Sequence, residues 1–180
     1  MGYYYTGSYD QALIDSYGIV ATVTATATLT AGTLGFESAP STPLTFPSAT
    51  LGTTSTQYET ATESFTVADA TGSGAGWNIS LVSTQFYNAS FGVYLSTTAL
   101  AVTGAVNSSC YGGATCSFAT NSVAYTDTVT SNVANVIFNA ATNTGMGDQI
   151  VTPTFQLAIP PTAYKGTYTS TFTVTLASGP

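Results

Sequence analysis

The chain has 180 residues, of which only 5% are charged, with one Lys or Arg in total, no His and a formal net charge of −7. Nucleic-acid binding needs clustered Lys and Arg to displace counterions, so it is excluded; the hydrophobic share is 44%, yet no stretch approaches the roughly 20 apolar residues of a membrane-spanning helix. The length suits one domain with a substantial core, and so few ionisable groups predict a stability that changes little with pH.

The chain opens with MGYYYTGSYDQALIDSYG. This stretch lacks the basic start and apolar core of a signal peptide, and it is richer in aromatics than a solvated tail. Tyr3, Tyr5, Tyr9, Leu13 and Tyr17 share one parity and form an interrupted stripe. Such a segment can add to an open sheet edge, its backbone pairing while alternate side chains enter pockets. Residues 1–18 are therefore read as an N-terminal tail and candidate donor strand, and residues 19–180 as a β-sandwich domain. Within the tail, DQALIDSY has room for a helical turn or two.

Strand patterns follow. Over residues 19–29, Ile19, Ala21, Val23, Ala25, Ala27 and Leu29 alternate with Thr from Thr22 onward. The same period of two runs through SFTVAD at Phe65 and Val67, and WNISLVST at Ile79 and Leu81. It returns in VTPTFQLAI at Val151, Phe155, Leu157 and Ile159, and at the end with Tyr168, Phe172, Val174 and Leu176 facing away from the intervening Thr residues. Alternation with β-branched residues marks half-buried strands. Pro40, Pro43, Pro47, Pro153, Pro160 and Pro161, with glycines over residues 72–76 and 112–113, punctuate the chain. The expected fold is an all-β antiparallel sandwich, jelly-roll or immunoglobulin-like, with the N-terminal extension acting as an added strand.

Cys110 and Cys116 lie in SSCYGGATCSF, where Gly112 and Gly113 let the chain fold back. A disulfide is expected, and with it an oxidising compartment. Two thiols without His cannot fill a tetrahedral zinc shell. Asn78, Asn88 and Asn107 begin N-x-S triplets and are candidate glycosylation sites in an exported chain.

The only Trp stands in FTVADATGSGAGWNISL. A strand ends at Asp69, whose carboxylate can bond turn amides; Gly72, Gly76 and their neighbours can take positive φ; and Trp77 begins the next strand and covers one end of the core. Stacking of Trp77 on a glycan would require its exposure. Asp69 has no acidic neighbour with which to hold calcium, which takes about six to eight oxygens. The Gly-rich turn lacks the Lys and the following helix of a phosphate loop.

This segment resembles the first motif of the WxL-type surface domains of Gram-positive bacteria, in which a strand, an Asp-and-Gly turn and Trp-x-Leu follow one another. TATLTAGTLGF and GTYTSTFTVTLASGP resemble that family's first and last strands, so the likeness spans most of residues 19–180. Ile79 stands in place of the Leu, Ala70 and Thr71 in place of a polar-basic pair, and Val174 where a second Trp is expected. The resemblance implies a β-rich surface domain that attaches to the cell wall.

Catalysis finds no support. Hydrolase triads need a base, and His is absent. Lys165 lies in PPTAYKGTY, a turn that suits a solvated amine better than a Ser–Lys dyad or a buried Lys–Asn cross-link. Glu59 and Glu63 sit on a Thr-rich run without the aromatic-acidic cleft of a glycosidase. No enzyme, metal or cofactor is expected. The favoured function is a structural subunit of a pilus-like extracellular filament, a homopolymer joined by strand donation from the N-terminal segment, because head-to-tail donation does not close on itself. The alternatives are a monomeric WxL-type wall- or glycan-binding module and a virion or surface-layer coat protein. Every reading places the chain outside the cell, with no nucleic-acid partner and no membrane span.

Overall fold

A computed structural model describes residues 24–38, 43–113 and 115–180. Ala31–Pro180 forms one compact unit. The strands of the compact unit are β1 (Leu34–Ser38), β2 (Gln57–Thr62), β3 (Phe65–Asp69), β4 (Trp77–Ser83), β5 (Tyr87–Asn88), β6 (Val93–Tyr94), β7 (Leu100–Cys110), β8 (Asp127–Val129), β9 (Asn135–Ala140), β10 (Gly147–Ile159) and β11 (Phe172–Ser178). A six-stranded sheet runs β1-β3-β10-β7-β8, with β2 also on β10; a three-stranded sheet runs β11-β4-β9; and β5-β6 is a separate hairpin. All pairings are antiparallel. The all-β antiparallel expectation holds.

Alternation explains the core. Phe65 and Val67, Ile79 and Leu81, and Val151, Phe155 and Leu157 are buried as their parity predicts, and they meet Leu100, Val102, Ile137 and Phe138 between the sheets. β10 is the spine. Its first half pairs with β3 and its second half with β2 along one edge, and β7 covers the other edge for most of its length. Pro153 sits mid-strand, where a missing N–H normally restricts proline to edges or bulges. The register against β7 shifts between Ile150 and Thr152 and again between Thr154 and Phe155, so bulges flank the proline. A further irregularity on β9 lets Ile137 and Phe138 both turn inward beside β4.

The expected strand over residues 19–29 fares differently. Residues 24–29 carry no strand, and Leu29 is 91% exposed. Ala and Thr satisfy the alternation but bring little apolar area to offset the cost of ordering a backbone. Among the described residues, strand pairing starts at β1, where Leu34 and Phe36 add bulk. The N-terminal tail, with Tyr3, Tyr5, Tyr9, Leu13 and Tyr17 and its candidate helical turn, lies outside the described residues.

Among the described residues, the outer edge of β9 is met by side chains rather than by a strand. Asn121 Oδ1 accepts from the Asn139 amide at 3.0 Å, and Asn139 Oδ1 accepts from the Ser122 amide at 2.7 Å. The Tyr125 hydroxyl donates to the Ile137 carbonyl at 2.8 Å.

Candidate functional site

The turn between β3 and β4 is built by a relay with a period of two. Asp69, 4% exposed, accepts from the Thr71 amide at 3.0 Å and the Thr71 hydroxyl at 2.7 Å. Thr71 Oγ1 accepts from the Ser73 amide at 3.3 Å, and Ser73 Oγ from the Ala75 amide at 3.2 Å. Each side chain thus caps the amide two residues on. Gly72, Gly74 and Gly76 alternate with these acceptors at φ 63°, 65° and 74°, where a side chain would be strained. A Cβ on Gly76 would also run into the Ala140 carbonyl oxygen. Asp69, Gly72 and Gly76 are the residues expected to build this turn; Thr71 and Ser73 join them, and their signal in the sequence is the alternation D-x-T-G-S-G-x-G.

The relay delivers Trp77 to the interior. Its ring is 0% exposed and stacks on Phe138 with centroids 5.7 Å apart, and its Nε1–H donates to the Gly145 carbonyl at 2.8 Å. Trp77 touches no solvent and cannot stack on a glycan in this fold. The motif is also tied to the chain end, because Asn78 Nδ2 donates to the Gly179 carbonyl at 2.8 Å and the Gly179 amide to the Gly76 carbonyl at 2.9 Å. Val174, at the degenerate second Trp position, pairs in register with Leu81.

The other sequence candidates lie apart. Cys110 and Cys116 are joined by a disulfide at the end of β7. Each sequon nitrogen is already engaged: Asn78 as above, Asn107 on Gln149 Oε1 at 2.8 Å, and the fully buried Asn88 on the Lys165 carbonyl at 3.1 Å. A glycan on Asn88 would have to displace that bond and open the β5-β6 hairpin. The Lys165 side chain is exposed, so neither a desolvated base nor a buried cross-link forms there. Glu59 and Glu63 are half-buried on and just beyond β2. Among the described residues, no group of three or more His, Cys, Asp or Glu is placed to hold a metal.

One large apolar feature remains. A groove of about 1360 Å³ opens between the two sheets, lined by Phe36 of β1, Phe65 of β3, Phe155, Leu157 and Ile159 of β10, and Phe172 and Val174 of β11. Residues 43–51, including Leu44 and Phe46, and residues 164–170 form its rim. Among the described residues, β11 pairs only with β4 and β1 only with β3, so each has one unpaired edge.

A family model described as WxL domain surface cell wall-binding matches residues 22–180. The chain belongs to the WxL family. This is a family of surface, wall-binding domains rather than of enzymes, and it places the protein at the cell surface. No curated protein and no solved structure matches the chain. In this WxL domain Trp77 and Asn78 are structural: they tie the β3-β4 turn to Gly145, in the turn that precedes β10, and to Gly179, just past β11.

Proposed function

We propose that this WxL domain is a non-enzymatic module that attaches to the cell wall by surface contacts outside the Trp motif. The observation that carries the reading is the family match over residues 22–180. The composition agrees with it, since Thr, Ser, Asn and Tyr supply hydroxyls and amides suited to a hydroxyl- and amide-rich polymer. The test is sedimentation with purified peptidoglycan sacculi. The protein is expected in the pellet; recovery in the supernatant at excess wall would overturn the reading.

A second reading makes the protein a subunit of a pilus-like filament, its residues 1–18 adding as a strand to a neighbouring copy. One observation favours it, the apolar groove beside the edge of β11 that has no partner strand among the described residues. An alternating Tyr segment has the period to pair with that edge while its rings enter the groove, and repeated donation yields an open chain of copies. Electron microscopy should then show thin fibres, lost on deletion of residues 1–17. A monodisperse monomer from the full chain would count against it. The coat-protein reading has no observation of its own.

A further inference from the structure

The β5-β6 hairpin presents an aromatic surface that neither the motif nor the groove explains. Tyr87 and Tyr94 face each other across the two strands with ring centroids 4.6 Å apart and planes 35° from parallel, and Tyr94 is 58% exposed. A hairpin with strands this short is marginal in isolation. This one is fixed from both sides. Tyr87 and Thr169 exchange backbone hydrogen bonds at 2.9 Å in each direction, and Asn88 below them donates to the Lys165 carbonyl and accepts from the Ser90 amide. The rings are therefore carried on constrained backbone, as a binding surface requires.

Beside the rings lies a depression of about 490 Å³, bounded by the ends of β4 and β11 and by the turn at Asn132. Its size falls within the roughly 300–1,000 Å³ of ligand sites. Its polar groups have unspent valences. Gln85 Nε2 donates to the Leu95 carbonyl, which leaves Oε1 as an acceptor. Asn132 is held at φ 62° with its backbone amide on the Ser83 carbonyl at 2.7 Å, while its side-chain amide has no partner among the described residues. The Thr171 hydroxyl is likewise without an internal partner among the described residues, its backbone amide being bound by Thr84. No charged side chain lines the depression.

We propose, resting on the attachment reading, that this depression binds an uncharged, N-acetylated saccharide strand and so supplies a wall contact. The C–H face of a pyranose packs against the electron-rich face of an exposed aromatic ring. Neutral amides and hydroxyls around it match sugar hydroxyls and acetamido groups in both donor and acceptor sense. An anionic, phosphate-bearing polymer is disfavoured, because no cation lines the site and the chain carries a net −7.

The test titrates the full-length protein with tetra-N-acetylchitotetraose and follows amide chemical shifts. Shifts concentrated at the Gln85 and Asn132 side-chain amides, with affinity falling about tenfold in Tyr94→Ala and kept in Tyr94→Phe, support the site. Tyr94 is exposed, so neither variant threatens the core. Absence of shifts, or equal affinity in Tyr94→Ala, overturns the site. Sedimentation with sacculi separates this from the parent reading. Wild type and Tyr94→Ala pelleting alike without saccharide shifts would sink the site and leave attachment standing. Saccharide shifts in a protein that stays in the supernatant would keep the site and sink attachment.

Discussion

Replacing Trp77 by Phe would keep a ring against Phe138 and remove one donor. The Gly145 carbonyl that accepts from Nε1 at 2.8 Å would then lie unpaired in the interior. Leaving a buried acceptor unsatisfied costs about 1–3 kcal/mol, so Trp77→Phe should unfold at lower urea with an unchanged denaturant slope. Tyr125 provides a second residue-scale outcome. Burial, foremost, raises its phenol pKa above 10.0; the nearby Asp127 carboxylate adds to this, and the hydrogen bond from Asn121 opposes it. A raised folded-state pKa means that the native state holds the proton more tightly than the unfolded chain. The associated stability is fully present below the unfolded value and is lost as pH rises through the folded one. Urea midpoints for wild type should therefore fall above about pH 10, the ordinary tyrosine range, and Tyr125→Phe should flatten that fall.

Among the elements, β3, β4, β10 and β11 were legible because their buried faces follow an uninterrupted period of two. β7 was not, because Gly104 and Asn107 break its apolar run and the bulges around Pro153 shift its parity. Residues 24–29 erred the other way, since the alternation holds there but the side chains are too small to hold a strand; residues 19–23 of the expected strand lie outside the described residues. The β5-β6 hairpin left no signal at all, since two-residue strands have no period and their support comes from Lys165 and Thr169, far along the chain. After the disulfide, the Ser117 amide donates to the Met146 carbonyl at 2.8 Å and the Ala119 amide to Gln149 Oε1 at 3.0 Å. The bridge thus pins a segment that covers the start of β10. Closing so short a loop is worth roughly 2 kcal/mol in the chain-entropy picture. The double variant Cys110→Ser, Cys116→Ser should lose about that much stability, with faster hydrogen exchange at Ser117 and Ala119 as the local readout.

At the scale of the whole molecule, Ala31–Pro180 contains both sheets and all of the described core. A chain of residues 31–180 is expected to fold cooperatively, with near-ultraviolet circular dichroism matching that of the full protein. A molten spectrum would show that the first 30 residues complete the fold. The class of the fold and the position of the Trp motif could be read from local patterns of charge, period and turn residues. The groove and the tyrosine depression could not, since each assembles side chains from strands distant in sequence.

The manner in which β9 is closed has a consequence for where such a molecule can persist. Many sheet edges are guarded by Lys and Glu, whose repulsion fades in concentrated salt or changes sign on acidification. Here the Asn121 carboxamide, the Ser122 backbone amide and the Tyr125 hydroxyl engage the edge instead. None of these groups titrates between strong acid and neutrality, and none has an ionic field to be shielded. The guard on that rim is therefore the same in brine, in vinegar and in fresh water.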